Sequence, residues 1–99
     1  MLNMDCYFMK GVLIIRPTKE INKEFLKQIN GLISYCGIKN IVFNLSELKI
    51  KSLDLLIYYS DNLKKDGGKV LFCGLDDKIV NKNIVKTKNE LTALKVFNI

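Results

Sequence analysis

Few side chains in this sequence could act as catalysts or metal ligands. It has no histidine and therefore no imidazole base, and its glycines do not form the phosphate-binding pattern GxxxxGK(S/T). The cysteines Cys6, Cys36 and Cys73 are odd in number and widely spaced, which argues against a disulfide framework and a common zinc site. We expect three buried thiols, with Cys73 inert beside Leu71 and Phe72. An enzyme is not expected.

Carboxylates offer one alternative kind of site. A divalent cation could be held by Asp66, Asp76 and Asp77, because hard cations prefer oxygen ligands. Their spacing does not match that of a calcium-binding loop, and capping of a helix accounts for Asp76 or Asp77. We therefore expect neither a metal nor a cofactor.

The charge of the chain raises a second alternative, a nucleic acid or an anionic surface as partner. The net charge is +6, but fifteen of the sixteen basic residues are scattered lysines and Arg16 is the single arginine. Arginine is the preferred bidentate reader of bases and phosphates, so this composition favours solvated lysine faces. We expect no nucleic-acid partner, and binding that weakens steeply with salt would contradict this expectation.

Two apolar runs near the start of the chain predict an antiparallel hairpin. Met4–Met9 and Val12–Arg16 are joined by Lys10 and Gly11, and the glycine can take the positive φ of a tight turn. Pro17 closes the second strand because it cannot donate to a strand ladder.

An amphipathic helix is predicted over 23–36. Asn22 is a good N-cap, Gly37 supplies the stop, and the apolar residues recur at helical spacing. These apolar residues are Phe25, Ile29, Leu32 and Ile33. The β-rich run within Asn40–Leu45 then predicts a buried strand parallel to the second one, through a right-handed crossover.

The same alternation of helix and strand is repeated further along. A second helical stripe from Leu53 to Leu63 ends at Gly67 and Gly68, and Val70–Cys73 is predicted as the next parallel strand. We predict a short third helix that is capped by Asp76 or Asp77 and has Ile79, Val80 and Ile84 inward. A polar loop over 86–89 and a last strand over 94–99 follow it. We expect one α/β domain over 1–99, with a mixed, mainly parallel sheet and its helices on one face.

No segment has the character of a membrane span or a signal peptide. Apolar runs such as Gly11–Ile15 are far shorter than the roughly 20 residues that cross a bilayer. We therefore expect a cytoplasmic protein without membrane insertion.

Three segments together resemble the STAS domain, the fold of bacterial anti-sigma factor antagonists. The strand Gly11–Arg16 followed by Lys19–Asn22 is similar to a hydrophobic strand with Gly-Glu-Leu-Asp after it. Ile41–Leu48 resembles Val-Val-Leu-Asp-Leu-Ser-x-Leu, and Gly67–Leu75 resembles Gly-Gly-x-Leu-x-Leu-x-Gly-Leu. The resemblance covers nearly the whole chain and implies a STAS-like single domain with an N-terminal hairpin and about three helices.

The resemblance also implies a function in signalling and transcription regulation. Such a protein binds an anti-sigma factor or a serine protein kinase and so regulates a sigma factor, with a PP2C-type phosphatase as a further partner. In that branch a phosphorylated serine within Asp-Ser-Ser/Thr-Gly begins the second helix. Here the motif is missing: Ser52 is the only serine in the right place, Lys51 replaces the aspartate, and no glycine follows.

Two roles remain open for Ser52. It is either an N-cap alone or an N-cap that is also phosphorylated, since a helix N-terminus flanked by Lys49 and Lys51 favours an added phosphate. The expected partner-binding residues are Lys51, Ser52, Leu53, Asp54, Leu55, Tyr58 and Tyr59. The alternative is a STAS adaptor or transporter-complex subunit that has no phosphoswitch.

Overall fold

A four-stranded sheet and three helices make up the described part of the computed structural model. The described residues are 4–18, 21–48, 54–65, 67–75 and 84–98. Residues 49–53, which include Ser52, and all of the predicted third helix except Ile84 therefore lie outside them; Ile84 is buried, as predicted.

The strands of the sheet follow one another in chain order. β1 (Met4–Met9) is antiparallel to β2 (Val12–Pro17), and β3 (Asn40–Asn44) and β4 (Lys69–Cys73) continue the sheet in parallel. A parallel neighbour requires a crossover, so α1 connects β2 to β3 and α2 connects β3 to β4. The mixed, mainly parallel sheet predicted from the sequence is confirmed.

The hairpin between β1 and β2 turns through two residues. Lys10 and Gly11 have φ values of 48° and 84°, the pair of positive values that a type I′ turn requires. At the open end of the hairpin, Met4 is paired with Pro17. In a two-residue hairpin the pair next to the turn is hydrogen-bonded and the pairs alternate from there, so Met4 and Pro17 form a pair without hydrogen bonds between the two strands. The missing N–H of the proline therefore removes no hydrogen bond between β1 and β2.

Three helices surround the sheet. They are α1 (Lys23–Cys36), α2 (Asp54–Lys65) and α3 (Glu90–Val96). The side chain of Asn22 accepts a hydrogen bond from the Phe25 amide at 2.9 Å, and Gly37 ends α1 with φ 67°. Both predicted ends of α1 are thus confirmed. No described helix is long and apolar enough to span a bilayer.

The two faces of the sheet are covered by different helices. The buried residues that pack with α1 and α2 include Leu13, Ile15, Ile41, Phe43, Val70 and Phe72. Those that pack with α3 are Val12, Ile14, Val42, Leu71 and Cys73. Since neighbouring strand residues point to opposite faces, this alternation places α3 on the face opposite α1 and α2. The expectation that all helices share one face was wrong.

The predicted strand over 94–99 was also wrong, because residues 94–96 are the last residues of α3. Asn89 caps the helix by accepting a hydrogen bond from the Thr92 amide at 2.9 Å. Ala93 and Leu94 are buried against the sheet, and Phe97 packs beside them, which is a helical rather than an alternating pattern. Within the predicted polar loop, Lys86 forms a single parallel bridge with Phe72.

Cysteine burial differs from the prediction at two positions. Cys73 is buried as expected, but Cys6 is half-buried and Cys36 is exposed. Cys36 is the last residue of α1, where the helix has already passed the edge of the core.

Gly74 is required where β4 leaves the sheet. Its φ of 74° lies in the left-handed region, and a Cβ at this position would come within 2.5 Å of the Ser46 backbone nitrogen. The loops that follow β3 and β4 can therefore approach each other closely.

Candidate functional site

A surface groove of about 340 Å³ runs between α1 and α2. The two helices lie side by side because their apolar stripes cover the same face of the sheet. The groove is lined by Lys23, Leu26, Lys27, Asn30, Tyr58, Tyr59, Asn62 and Leu63. It is the strongest candidate for a binding surface, since it includes both tyrosines of the predicted interface.

The neighbouring tyrosines of α2 have different environments. Tyr58 is 69% exposed, whereas Tyr59 is 8% exposed and forms part of the floor of the groove. The Tyr59 hydroxyl donates a long hydrogen bond of 3.4 Å to Oδ1 of Asn30, and burial raises the pKa of Tyr59 to about 12. Of the two tyrosines in the predicted interface, only Tyr58 is available as an exposed anchor.

The exposed side of α2 continues from Tyr58 toward the start of the helix. Leu55, one turn earlier, is 38% exposed, and Asp54 is exposed at the first position of the helix. Spacing of three residues puts Leu55 and Tyr58 on the same side. The structure thus brings three of the predicted interface residues to the surface together, while 51–53 lie outside the described residues.

The rim of the groove carries positive charge. Lys23 and Lys27 are exposed and lie one turn apart on α1. None of the described residues that line the groove is acidic. The groove therefore combines an apolar floor with a cationic rim.

A cluster of polar side chains lies at the carboxyl ends of β2 and β3, on the side of α3. The Arg16 guanidinium contacts the Glu90 carboxylate through two nitrogens, Nε and Nη2, each at 2.7 Å from one of its oxygens. Tyr7 donates from its hydroxyl to Oε1 of Glu90 at 2.6 Å, and Asn44 donates to Oε2. Arg16 also lies over the Tyr7 ring, 4.7 Å from its centroid.

These contacts stabilise the ionised form of Glu90. Its hydrogen bond with Arg16 is the largest contribution, and it lowers the pKa of Glu90 to about 2 despite the opposing effect of burial. Conversely, Glu90 raises the pKa of Arg16, and burial together with Glu90 raises the pKa of Tyr7. Because Glu90 is the first residue of α3, the cluster attaches this helix to the end of the sheet.

Sequence reasoning did not identify this cluster. Arg16 was notable only as the single arginine, and it lies 74 residues before Glu90. The usable signal was local: Asn89 followed by Glu90 is a typical helix start.

Asn44 also organises the loop after β3. Its Oδ1 accepts hydrogen bonds from the Ser46 amide at 3.1 Å and the Ser46 hydroxyl at 2.8 Å. Ser46 thus has a local structural role, as an Asx turn would give it.

Metal binding gains no support from the described residues. No three of their Cys, Asp and Glu side chains cluster as metal ligands would. The aspartates considered from the sequence, Asp66, Asp76 and Asp77, lie outside the described residues.

Comparison with solved structures places this fold among known ones. The chain is similar to a serine-to-glutamate variant of RsbS from Moorella thermoacetica, with a TM-score of 0.79, 12% sequence identity, and coverage of 96% of this chain and 94% of that one. RsbS is a STAS-domain anti-sigma factor antagonist. The STAS-like α/β fold expected from the sequence is thus confirmed. No protein-family model and no curated protein matches the chain.

Proposed function

We propose that this chain is a bacterial protein-interaction module that acts in the manner of an anti-sigma factor antagonist. It binds an anti-sigma factor or a serine protein kinase in the cytoplasm and thereby regulates a sigma factor. The fold shared with RsbS and the sequence resemblance both support this role.

One observation carries the proposal, the exposure of Tyr58 beside an open groove. Large aromatic side chains are usually buried, and exposed ones that flank a concave apolar surface are typical anchors of protein interfaces. Tyr58 is 69% exposed, next to Leu55 and the groove between α1 and α2. The binding surface is therefore the exposed side of α2.

The test is a titration against the anti-sigma kinase encoded in the same genome, measured by isothermal titration calorimetry. Tyr58→Ala is expected to weaken binding about tenfold or more, as loss of an interface anchor does. Leu91→Ala is the matched control, because Leu91 is 64% exposed on α3, which covers the opposite face of the sheet. Equal affinity of wild type and Tyr58→Ala would rule out this surface.

Phosphorylation of Ser52 is the proposed off state. A phosphate adds a charge of about −1.5 to −2, and at the centre of an interface it would oppose binding through desolvation and repulsion. The purified kinase with ATP is expected to phosphorylate Ser52, and a PP2C-type phosphatase to remove the group. Mass spectrometry that finds no phosphate on Ser52 would eliminate the switch and leave the serine as a helix cap.

A second candidate is a STAS adaptor or transporter-complex subunit without a phosphoswitch. Its support is the sequence around Ser52, where Lys51 stands in place of the motif's aspartate and no glycine follows. Gene neighbourhood separates the two candidates, since an adjacent GHKL-type kinase gene favours the first and transporter genes favour the second.

The proposed action is binding without catalysis. Burial raises the pKa of the Cys73 thiol to about 11, so this cysteine is protonated at neutral pH and is a poor nucleophile. The chain has no histidine to activate another side chain.

A further inference from the structure

The groove between α1 and α2 has features that specify its partner more closely. Lys23 and Lys27 are four positions apart in α1, so both lie on the same side of the helix. No described residue forms an ion pair with either one. Their charges are therefore available to an approaching anionic group.

Below the lysines the groove is apolar. Leu26 is half-buried, and Leu63 and Tyr59 are each 8% exposed. On α1 the lining extends from Lys23 to Asn30, a rise of about 10 Å, which matches two turns of a helix. Two helices side by side offer a groove into which the side chains of a third helix can pack.

We infer that this groove binds an acidic amphipathic helix of the partner protein. Apolar side chains of that helix contact Leu26, Leu63 and Tyr59, while Asp or Glu on its flank pairs with Lys23 and Lys27. This inference rests on the proposed function, since it names the partner of the same surface.

A nucleic acid is the other anionic ligand to consider. The apolar surface of the groove favours a protein helix, because a phosphate backbone would leave half-buried Leu26 and exposed Tyr58 uncovered. In addition, the single arginine, Arg16, belongs to the cluster on the α3 side of the sheet.

The test is selection of a displayed library of helical peptides, randomised on one face, on the whole chain. Wild type is expected to select peptides rich in Asp and Glu beside an apolar stripe. Lys23→Glu/Lys27→Glu is expected to weaken the binding of those peptides about tenfold or more. Each exposed ion pair contributes roughly two- to fivefold to the affinity, and charge reversal adds repulsion. Lys23 is the first residue of α1, where negative charge is favourable, and Lys27 is exposed, so this variant should fold.

The matched control is Lys88→Glu/Lys95→Glu. Both lysines are exposed; Lys88 precedes α3 and Lys95 lies within it. The two substitutions give the chain the same net charge as the groove variant has. The control is expected to bind the selected peptides within about twofold of wild type, since long-range charge is screened by salt. Thermal unfolding of both variants checks that each is folded.

The outcomes separate the inference from the function on which it rests. If peptides lack acidic residues, or both double variants weaken binding equally, or a DNA oligonucleotide displaces the peptides from the groove, the inference fails. Loss of binding in Tyr58→Ala in such a case would still support a protein-binding surface. Recovery of no peptides, or of peptides indifferent to the lysines, would overturn the inference, whereas the proposed binding surface is overturned only if Tyr58→Ala leaves the affinity for the kinase unchanged.

Discussion

Replacement of Glu90 by glutamine is expected to destabilise the protein and to change how its stability depends on pH. The carboxylate accepts two bonds from Arg16 and one each from Tyr7 and Asn44. Glutamine has almost the same shape, but it replaces one carboxylate oxygen with an NH₂ group. That group is a donor and cannot accept the hydrogen bonds that the oxygen accepted. Glu90→Gln thus removes the charge and leaves at least one donor without an acceptor.

The magnitude follows from the pKa of Glu90. Its value of about 2, against an ordinary 4.5, corresponds to roughly 3 kcal/mol at about 1.36 kcal/mol per unit. The Arg16 side chain is 43% exposed, so solvent screens the pair and we expect about 1–2 kcal/mol. For a domain of this size, this loss lowers the Tm by about 4–15 °C.

The sign of the pH dependence is also defined. Because the pKa of Glu90 is lower in the folded chain, its contribution is present above pH 4.5 and is lost as pH falls toward 2. Between pH 4.5 and 2 the carboxyl group is protonated first in the unfolded chain, so the free energy of unfolding decreases as the pH decreases. Glu90 contributes at most about 1.4 kcal/mol per pH unit to this decrease.

Urea unfolding followed by circular dichroism, at a series of pH values from 2 to 6, measures both effects. Glu90→Gln should show a shallower decline of the free energy of unfolding than wild type. Glu24→Gln is the matched control, because Glu24 is an exposed glutamate in the first turn of α1. Parallel curves for wild type and Glu90→Gln would refute the reasoning.

Two further predictions concern single positions. Gly74→Ala should lower the free energy of unfolding in urea by about 1–3 kcal/mol, because it combines a left-handed φ with a backbone clash. Gly31→Ala, in an open helical position, should instead raise the free energy of unfolding by about 0.5–1 kcal/mol. Equal effects of the two substitutions would contradict this account. Iodoacetamide should modify Cys36 well before Cys73, since Cys36 is exposed and Cys73 is buried with a raised pKa. Peptide mass spectrometry over time distinguishes this order from its reverse.

Local signals allowed the first half of the fold to be predicted. Lys10 and Gly11 specify a two-residue turn. Asn22 begins α1 through its side-chain oxygen, and Gly37 ends it through its backbone N–H. Such features depend on residues a few positions apart, and a sequence displays them directly.

The C-terminal segment was mispredicted because it is short. Over a few residues the apolar positions allow either pattern: Leu94 and Val96 have the spacing of a strand, whereas Leu94 and Phe97 have that of a helix. The cap at Asn89 decides the matter, but only once it is recognised as a helix start.

The candidate site could be predicted only in part. The sequence predicted both Tyr58 and Tyr59 in the interface, but of the two only Tyr58 is exposed. Nor did it place Lys23 and Lys27 opposite those tyrosines, because that placement depends on α1 and α2 sharing one face of the sheet. Contacts between helices distant in sequence are set by the whole fold.

The position of α3 has a consequence for how the chain is made in the cell. Val12, Ile14, Val42 and Leu71 leave the ribosome long before the helix that covers them. Arg16 precedes Glu90 by 74 residues, which at roughly 5–20 residues per second is about 4–15 s of translation. During that interval the side chains of β2 that α3 later covers lack this cover, so the α3 side of the sheet is the last to be buried.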